Sequence, residues 1–260
     1  MSDWGLGELL ACVLARSLRD GELGILGTSS PIAVAACNLA QRRGRWVSWM
    51  SRPLGVLDPR TDRLLGTADE RLIATSSAFL DLPCTVDFVA WRPHFFDFAV
   101  LEGLQVDRHG NLNTVCVGPH DKPRFRGPGT LGASALAGLS RRFMVLVTRH
   151  EPSVLVETVD FRSAVGHHRG GRTRETELGL PPGGPDLVVT PLGCFDFDPE
   201  SKAMRVQSLH PGVSVEDARA RTGFELAVEG APPVTEAPTE EELRLLRLSV
   251  DQDGLLRRVI

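Results

Sequence analysis

Apolar residues recur along the chain in two rhythms. Over residues 6–20 they return every three or four positions, with Leu9, Leu10, Val13, Leu14 and Leu18 on one side, which predicts a helix. Residues 22–26 form a short apolar run that closes on Gly27, Thr28, Ser29 and Ser30. This predicts a strand, a loop, and then a helix over 31–42 with proline at its first position. Runs at 45–50, 99–105, 143–147, 154–159 and 187–190 predict further strands. A strand closing at 196–198 before Pro199, and another over 206–209, follow them. Ser214 predicts a helix start, because its hydroxyl can accept from the backbone N–H near Asp217. The proline-rich stretch 231–238 predicts an exposed connector. It runs into Thr239-Glu240-Glu241-Glu242, a capping-box pattern that opens a terminal helix through Leu248. Strands separated by helices predict an α/β fold, with an open, mainly parallel sheet flanked by helices.

Length and charge narrow the picture. The 260 residues suit one α/β domain over 1–260, or at most two small ones. Apolar residues at 42% and charged residues at 24% are ordinary for a globular protein. A net charge of -4 gives no basic excess for nucleic acid or an anionic membrane. No apolar run approaches the roughly 18 residues of a membrane span. The first ten residues carry Asp3 and Glu8 without a basic segment, unlike a signal peptide. Cys12, Cys37, Cys84, Cys116 and Cys194 are odd in number and widely spaced, and four have apolar neighbours. They are expected to be reduced thiols in a cytoplasmic protein, with no metal site.

Three groups of residues have chemical potential. Residues 127–134 read Gly-Pro-Gly-Thr-Leu-Gly-Ala-Ser, the densest glycine cluster. Gly127, Gly129, Thr130 and Gly132 let the backbone approach a ligand, and a helix over 133–139 would aim N–H groups at an oxyanion. A plain surface loop accounts for the same residues. It is neither a Rossmann fingerprint nor a Walker loop. Residues 107–113 form a polar turn in which Asn111 and Asn113 can close the turn or bind a carbonyl. The seven histidines are scattered; His167 and His168 are adjacent and therefore point apart. Arg124, Arg126, Arg141, Arg142, Arg149 and Arg169 can meet a phosphate or carboxylate, or form a solvated basic face. Trp91, Phe95, Phe96 and Phe98 suit a hydrophobic pocket or core packing.

The stretch 106–114, Val-Asp-Arg-His-Gly-Asn-Leu-Asn-Thr, resembles the VDxxGNLNT segment of class I CoA-transferase β subunits. Glutaconate and 3-oxoadipate CoA-transferases belong to that family. The likeness continues through Lys122-Pro123 and the 127–133 loop, similar to the family's GxGGA region. It extends through 149–151, 156–161, 192–197, 208–213 and 221–224, in order over nearly the whole chain. The resemblance implies the CoA-transferase type of α/β sheet. It implies a partner, an α-type subunit, in an αβ or α2β2 assembly with the site at the interface. It implies a CoA thioester as substrate and no permanently bound cofactor.

The family's transfer chemistry needs a glutamate just after the second strand, in a segment like TEGG. Its carboxylate attacks the acyl-CoA and becomes a glutamyl-CoA thioester. Here the stretch reads Val47-Ser48-Trp49-Met50-Ser51-Arg52-Pro53-Leu54-Gly55, and an ungapped alignment puts Ser51 at the glutamate's position. No acidic residue lies between Glu22 and Asp58. Trp46, Trp49 and Arg52 are also unlike the family norm. The chain is therefore similar to members without the glutamate, a ring-opening CoA hydrolase of steroid degradation and a methylglutaconyl-CoA decarboxylase. The expected site holds Ser51 and Arg52 with the glycine-loop amides, and Arg52 faces a substrate carboxylate. Two alternatives stand beside it: a true transferase using Glu102 or Asp58, and a non-catalytic structural partner of an α subunit.

Overall fold

Strand β1, Leu23–Leu26, shows why these residues form a sheet. It pairs in parallel with β2, Ser48–Ser51, on one side and with β5, Phe98–Glu102, on the other. Such a strand is covered on both faces and reads as a continuous apolar run. Gly24 lies between Trp49 and Phe98 in the ladder. A Cβ there would stand 1.9 Å from Cζ of Phe98, so the phenyl ring occupies the space over the glycine.

The computed structural model describes residues 4–27, 31–90, 92–130 and 132–258, without the side chains of 87–90. The sequence features at Thr28, Ser29, Ser30, Trp91 and Leu131 lie outside the described residues. The chain divides into two compact units, Met1–Val100 with Glu236–Ile260, and Leu101–Thr235.

In the first unit, helix α1 spans Leu6–Ser17 and helix α2 spans Pro31–Arg42, beginning at the expected proline. Strand β2 starts three residues later than the apolar run suggested, because Trp46 is turned outward and 79% exposed. Beyond β2, the short strands β3, Val56–Leu57, and β4, Ala78–Phe79, continue the sheet antiparallel. A 3-10 turn, Glu70–Thr75, and helix α3, Leu82–Ala90, complete this part. The C-terminal helix, Glu240–Ser249, begins with the expected capping box: Thr239 Oγ1 accepts from the Glu242 N–H at 3.2 Å. The buried Glu242 carboxylate pairs with Arg16 and Arg43, both at 2.6 Å, and Glu8 pairs with Arg247 at 2.8 Å. These pairs hold the helix against α1 and α2.

The second unit begins with β6, Gln105–Asp107, and β7, Leu112–Asn113, antiparallel around the polar turn. The apolar run at 99–105 thus divides into β5 and β6, with Gly103 and Leu104 between them. Strands β8, Cys116–Val117, and β9, Phe125–Arg126, form a hairpin. Helix α4, Ala133–Leu139, leads into β10, Arg142–Leu146. Strand β11, Leu155–Val156, pairs in parallel with β6, and helix α5 covers Thr173–Leu178. Strand β12, Pro185–Val189, is parallel to β10. Strands β13, Gly193–Phe197, and β14, Met204–Leu209, add on antiparallel. Helix α6, Val215–Ala220, starts at Ser214, whose Oγ accepts from the Asp217 N–H at 3.0 Å.

The expected α/β sheet architecture is present in each unit: β1, β2 and β5 run parallel with β3 and β4 antiparallel in the first, and β10 and β12 run parallel with β13 and β14 antiparallel in the second. Cys12, Cys37, Cys116 and Cys194 are buried free thiols and Cys84 is exposed. Burial pushes the Cys12 thiol up to about 12, so it is no nucleophile. Among the described residues no helix is long and apolar enough to cross a membrane.

Candidate functional site

In the first unit, Ser51 closes β2. The ladders place Leu26 and Val56 on either side of it, with Val100 beyond Leu26. Ser51 is 0% exposed in this apolar row, and its hydroxyl donates to the Thr67 carbonyl. A buried hydroxyl needs such a partner, because leaving it unpaired costs several kcal/mol by order of magnitude. The turn after Ser51 is tight: the Gly55 N–H reaches the Ser51 carbonyl at 2.8 Å. Gly55 has φ +67°, and a Cβ would meet the Leu80 carbonyl at 2.3 Å.

Arg52 stands in this turn, half-buried, with its N–H on the Leu26 carbonyl at 3.2 Å. Its Nε is buried and has no hydrogen-bond partner among the described residues. Trp49 is fully buried, and its indole N–H is likewise unpartnered. Asp58, the next acidic residue along, is already committed. Its Oδ1 accepts from the Trp49 N–H at 2.8 Å and from Gln41 Nε2 at 3.0 Å, which fastens β2.

In the second unit, the glycine loop has two kinds of backbone N–H. Those of Gly127 and Gly129 are engaged, with the carbonyls of Val115 at 2.7 Å and Thr114 at 3.1 Å. Those of Thr130 and Gly132 find no acceptor among the described residues. Gly127 is packed so closely that a Cβ would meet the Thr114 carbonyl at 2.5 Å. Gly129 and Gly132 adopt left-handed backbone, φ +92° and +95°, and nothing lies within 4 Å of a Cβ at Gly129. The loop is thus open on one side and held on the other. Helix α4 has seven residues, so its dipole adds little, and the loop amides themselves carry any anion-binding capacity.

The far end of α4 is tied down by a residue with no local signal in the sequence. Arg174 is 1% exposed and donates all its N–H groups to carbonyls. These belong to Ala137 and Gly138 in α4, and to Val165, Gly166 and Pro181, at 2.8 to 3.3 Å. Burial lowers its pKa to about 10, and the carbonyls offset that cost.

Asn111 and Asn113 hold the polar turn. Asn111 Nδ2 donates to both Asp107 oxygens, at 3.0 and 2.9 Å, and to the His168 carbonyl at 2.7 Å. Its Oδ1 accepts from the Gly166 N–H at 2.9 Å. Asn113 Nδ2 donates to Gln105 Oε1 and the Cys116 carbonyl, and its Oδ1 accepts from the N–H groups of Val115 and Cys116. Both side chains are buried, and their amide donors are taken within the chain. Burial raises the Asp107 pKa, against the N–H donors from Asn111 and His109 that pull it down. Phe96 and Phe98 lie in the core, as packing required.

His167 and His168 do point apart. His167 Nε2 meets the Pro185 carbonyl at 2.9 Å, while His168 lies between Arg162 and Glu177. His150 is buried between the hydroxyls of Thr190 and Thr222, at 2.8 and 3.0 Å.

Known proteins resemble this chain in sequence and in fold. The Coenzyme A transferase family matches residues 94–220. One subunit of the 3-oxoadipate CoA-transferase of Pseudomonas knackmussii is 32% identical, covering 95% of this chain and 94% of that one. The cholesterol ring-cleaving hydrolase IpdB subunit of Rhodococcus jostii is 30% identical, covering 88% of this chain and 94% of that one. The crystal structure of the decarboxylase AibA/AibB superposes with a TM-score of 0.84 at 26% identity, over 99% of both chains. With this sequence likeness along almost its whole length, the chain belongs to the coenzyme A transferase family.

Proposed function

We propose that this chain is the β-type subunit of a heteromeric enzyme that processes an acyl-CoA without transferring CoA through its own carboxylate. The reaction is hydrolysis of a C–C bond or decarboxylation within the acyl group. The carrying observation is Ser51, at the end of β2 where the family's glutamate is expected, buried and bonded to the Thr67 carbonyl. A serine cannot form the mixed anhydride through which CoA is exchanged, and Asp58 is occupied in holding β2. Two relatives, a ring-cleaving hydrolase and a decarboxylase, support other chemistries on this scaffold.

In this reading, negative charge grows on the thioester oxygen as an enolate or dienolate forms. The N–H groups of Thr130 and Gly132 stabilise it, in a loop shaped by Gly127 and Gly129. The half-buried guanidinium of Arg52, in the turn after β2, pairs with a carboxylate of the acyl group, and Ser51, buried behind it, closes the strand. Asn111 and Asn113 support the site by fixing the turn at 107–113. An α-type partner in an αβ or α2β2 assembly supplies the proton-transfer group. Ile73, Phe79, Leu82 and Val86, 39 to 64% exposed on the first unit, are consistent with a covered partner face.

The second reading is CoA transfer itself, favoured by the 32% identity to a 3-oxoadipate CoA-transferase subunit. Borohydride trapping separates the two. Acyl-CoA followed by borohydride leaves this chain unmodified if transfer is absent. A reduced glutamyl or aspartyl adduct on this chain would establish the transferase reading instead.

A further inference from the structure

The second unit contains a cleft of about 500 Å³ whose lining includes no residue of the glycine loop. Three arginines line it, Arg108, Arg162 and Arg169, with Thr158, Val159 and His168. Two of the three are matched by carboxylates: Arg108 pairs with Glu157 at 2.8 Å, and Arg169 pairs with Glu177. Arg162 has no carboxylate partner among the described residues. Its one hydrogen bond runs from Nη1 to His168 Nδ1, at 2.6 Å.

That bond orders the site. A guanidinium only donates, so Nδ1 of His168 accepts and the ring proton sits on Nε2, which faces Glu177 at 3.1 Å. The ring is 7% exposed on left-handed backbone, φ +59°, and its carbonyl is held by Asn111 at 2.7 Å. The guanidinium is therefore held at one N–H, and the other four are left to a ligand. The exposed Thr158 hydroxyl also has no partner among the described residues, and Val159 supplies a buried apolar wall.

We propose that this cleft binds the phosphate group of a small organic phosphate, with Arg162 as its principal cation and Thr158 as a second donor. A carboxylate offers two oxygens and one charge. A phosphate monoester offers three oxygens and nearly two charges, enough to engage the unmatched guanidinium of Arg162 and the Thr158 hydroxyl together beside the paired Arg108 and Arg169 and the acidic Asp107 and Glu157 of the lining. The phosphate can come from the nucleotide end of a CoA thioester or from a free phosphate. The site does not depend on which reaction the enzyme performs.

The test is calorimetric titration of the full chain with three probes: adenosine 3′,5′-bisphosphate, inorganic phosphate and glutarate. Adenosine 3′,5′-bisphosphate is expected to bind. Arg162→Ala should weaken it about tenfold or more, as loss of a charge-assisted fork does. Thr158→Val should weaken it severalfold, and Arg219→Ala, an exposed arginine of α6 outside the lining, should leave it unchanged. Equal affinity for inorganic phosphate identifies a free-phosphate site, and tighter binding of the bisphosphate identifies a nucleotide site; both support the proposal. Binding unaltered by Arg162→Ala and Thr158→Val, no binding of either phosphate, or glutarate bound as tightly, would overturn it. Both substituted side chains are exposed, and Arg162→Lys, which keeps the charge without the fork, provides a second variant should Arg162→Ala fail to fold.

Discussion

Nη2 of Arg174 lies 2.8 Å from the carbonyl oxygen of Ala137, near the end of α4. It is part of a side chain that satisfies backbone carbonyls from three separate segments without an ionised acceptor. The glycine loop sits at the other end of the same short helix, so the stability of the loop's framework runs through Arg174.

Arg174→Lys keeps the charge but has three donors for five carbonyls. Two buried acceptors are left unpaired at about 1–3 kcal/mol each, so a loss of about 2–6 kcal/mol is expected. Urea unfolding measures it. A midpoint equal to that of the natural chain would show that the carbonyls find other partners.

Mild acid should destabilise the fold through its buried histidines. Burial lowers the pKa of His150 and of His167 to about 4, and lowers that of His210. Each ring is neutral when folded and accepts a proton near pH 6.5 when unfolded. Its stabilisation is complete above about pH 6.5 and is lost as pH falls towards 4. At about 1.4 kcal/mol per pKa unit, the loss at pH 5 is about 2 kcal/mol for each of the first two rings. Glu242 acts at lower pH. Burial raises its pKa, but the bonds from Arg16 and Thr239, with Arg43, hold it below the usual range. That contribution is lost only as pH falls below about 4.5. Thermal melts from pH 7.5 to 5 should show the histidine step; a flat midpoint would refute it.

Asn113→Asp removes the two donors that meet Gln105 Oε1 and the Cys116 carbonyl, and buries a carboxylate in their place. The expected loss is about 2–4 kcal/mol of stability. Substrate affinity of the protein that remains folded should not change. Undiminished stability with weakened acyl-CoA binding would assign the amide to the ligand instead.

Gly24→Ala places a methyl group where the Phe98 ring already stands, 1.9 Å away. Overpacking of this kind costs about 1–3 kcal/mol or more. Phe98→Leu in the same chain should recover part of the loss, since it clears the space. If the double variant is no more stable than Gly24→Ala alone, the clash does not set the cost.

What the sequence made legible was local. Pro31, Ser214 and Thr239 mark helix starts through contacts within one turn, and the helices begin there. The long apolar strands were visible for the same reason that they are buried on both faces. The stretch from Val56 to Ala90 was not, because β3 and β4 are two residues each, too short to show a period, and β4 meets its partner only across a long connection. The family motifs located Ser51, but its burial and its bond to Thr67 arise from four rows of sheet and a loop sixteen residues away. Asn111 and Asn113 read equally as turn or ligand residues, and only the positions of Asp107, His168 and Gln105 show where their amides go. Arg174 and Arg162 gave no local signal among many arginines.

The central claim is acyl-CoA chemistry without CoA transfer. Its most direct test co-expresses this chain with its α-type partner and supplies a panel of dicarboxylic and cyclic keto acyl-CoAs, with and without acetate. Products are followed by mass spectrometry. The account predicts a change that is independent of acetate, either loss of carbon dioxide or gain of water with the thioester intact. Acetyl-CoA that forms only when acetate is present would contradict it, because CoA transfer would then survive with Ser51 in the glutamate's place.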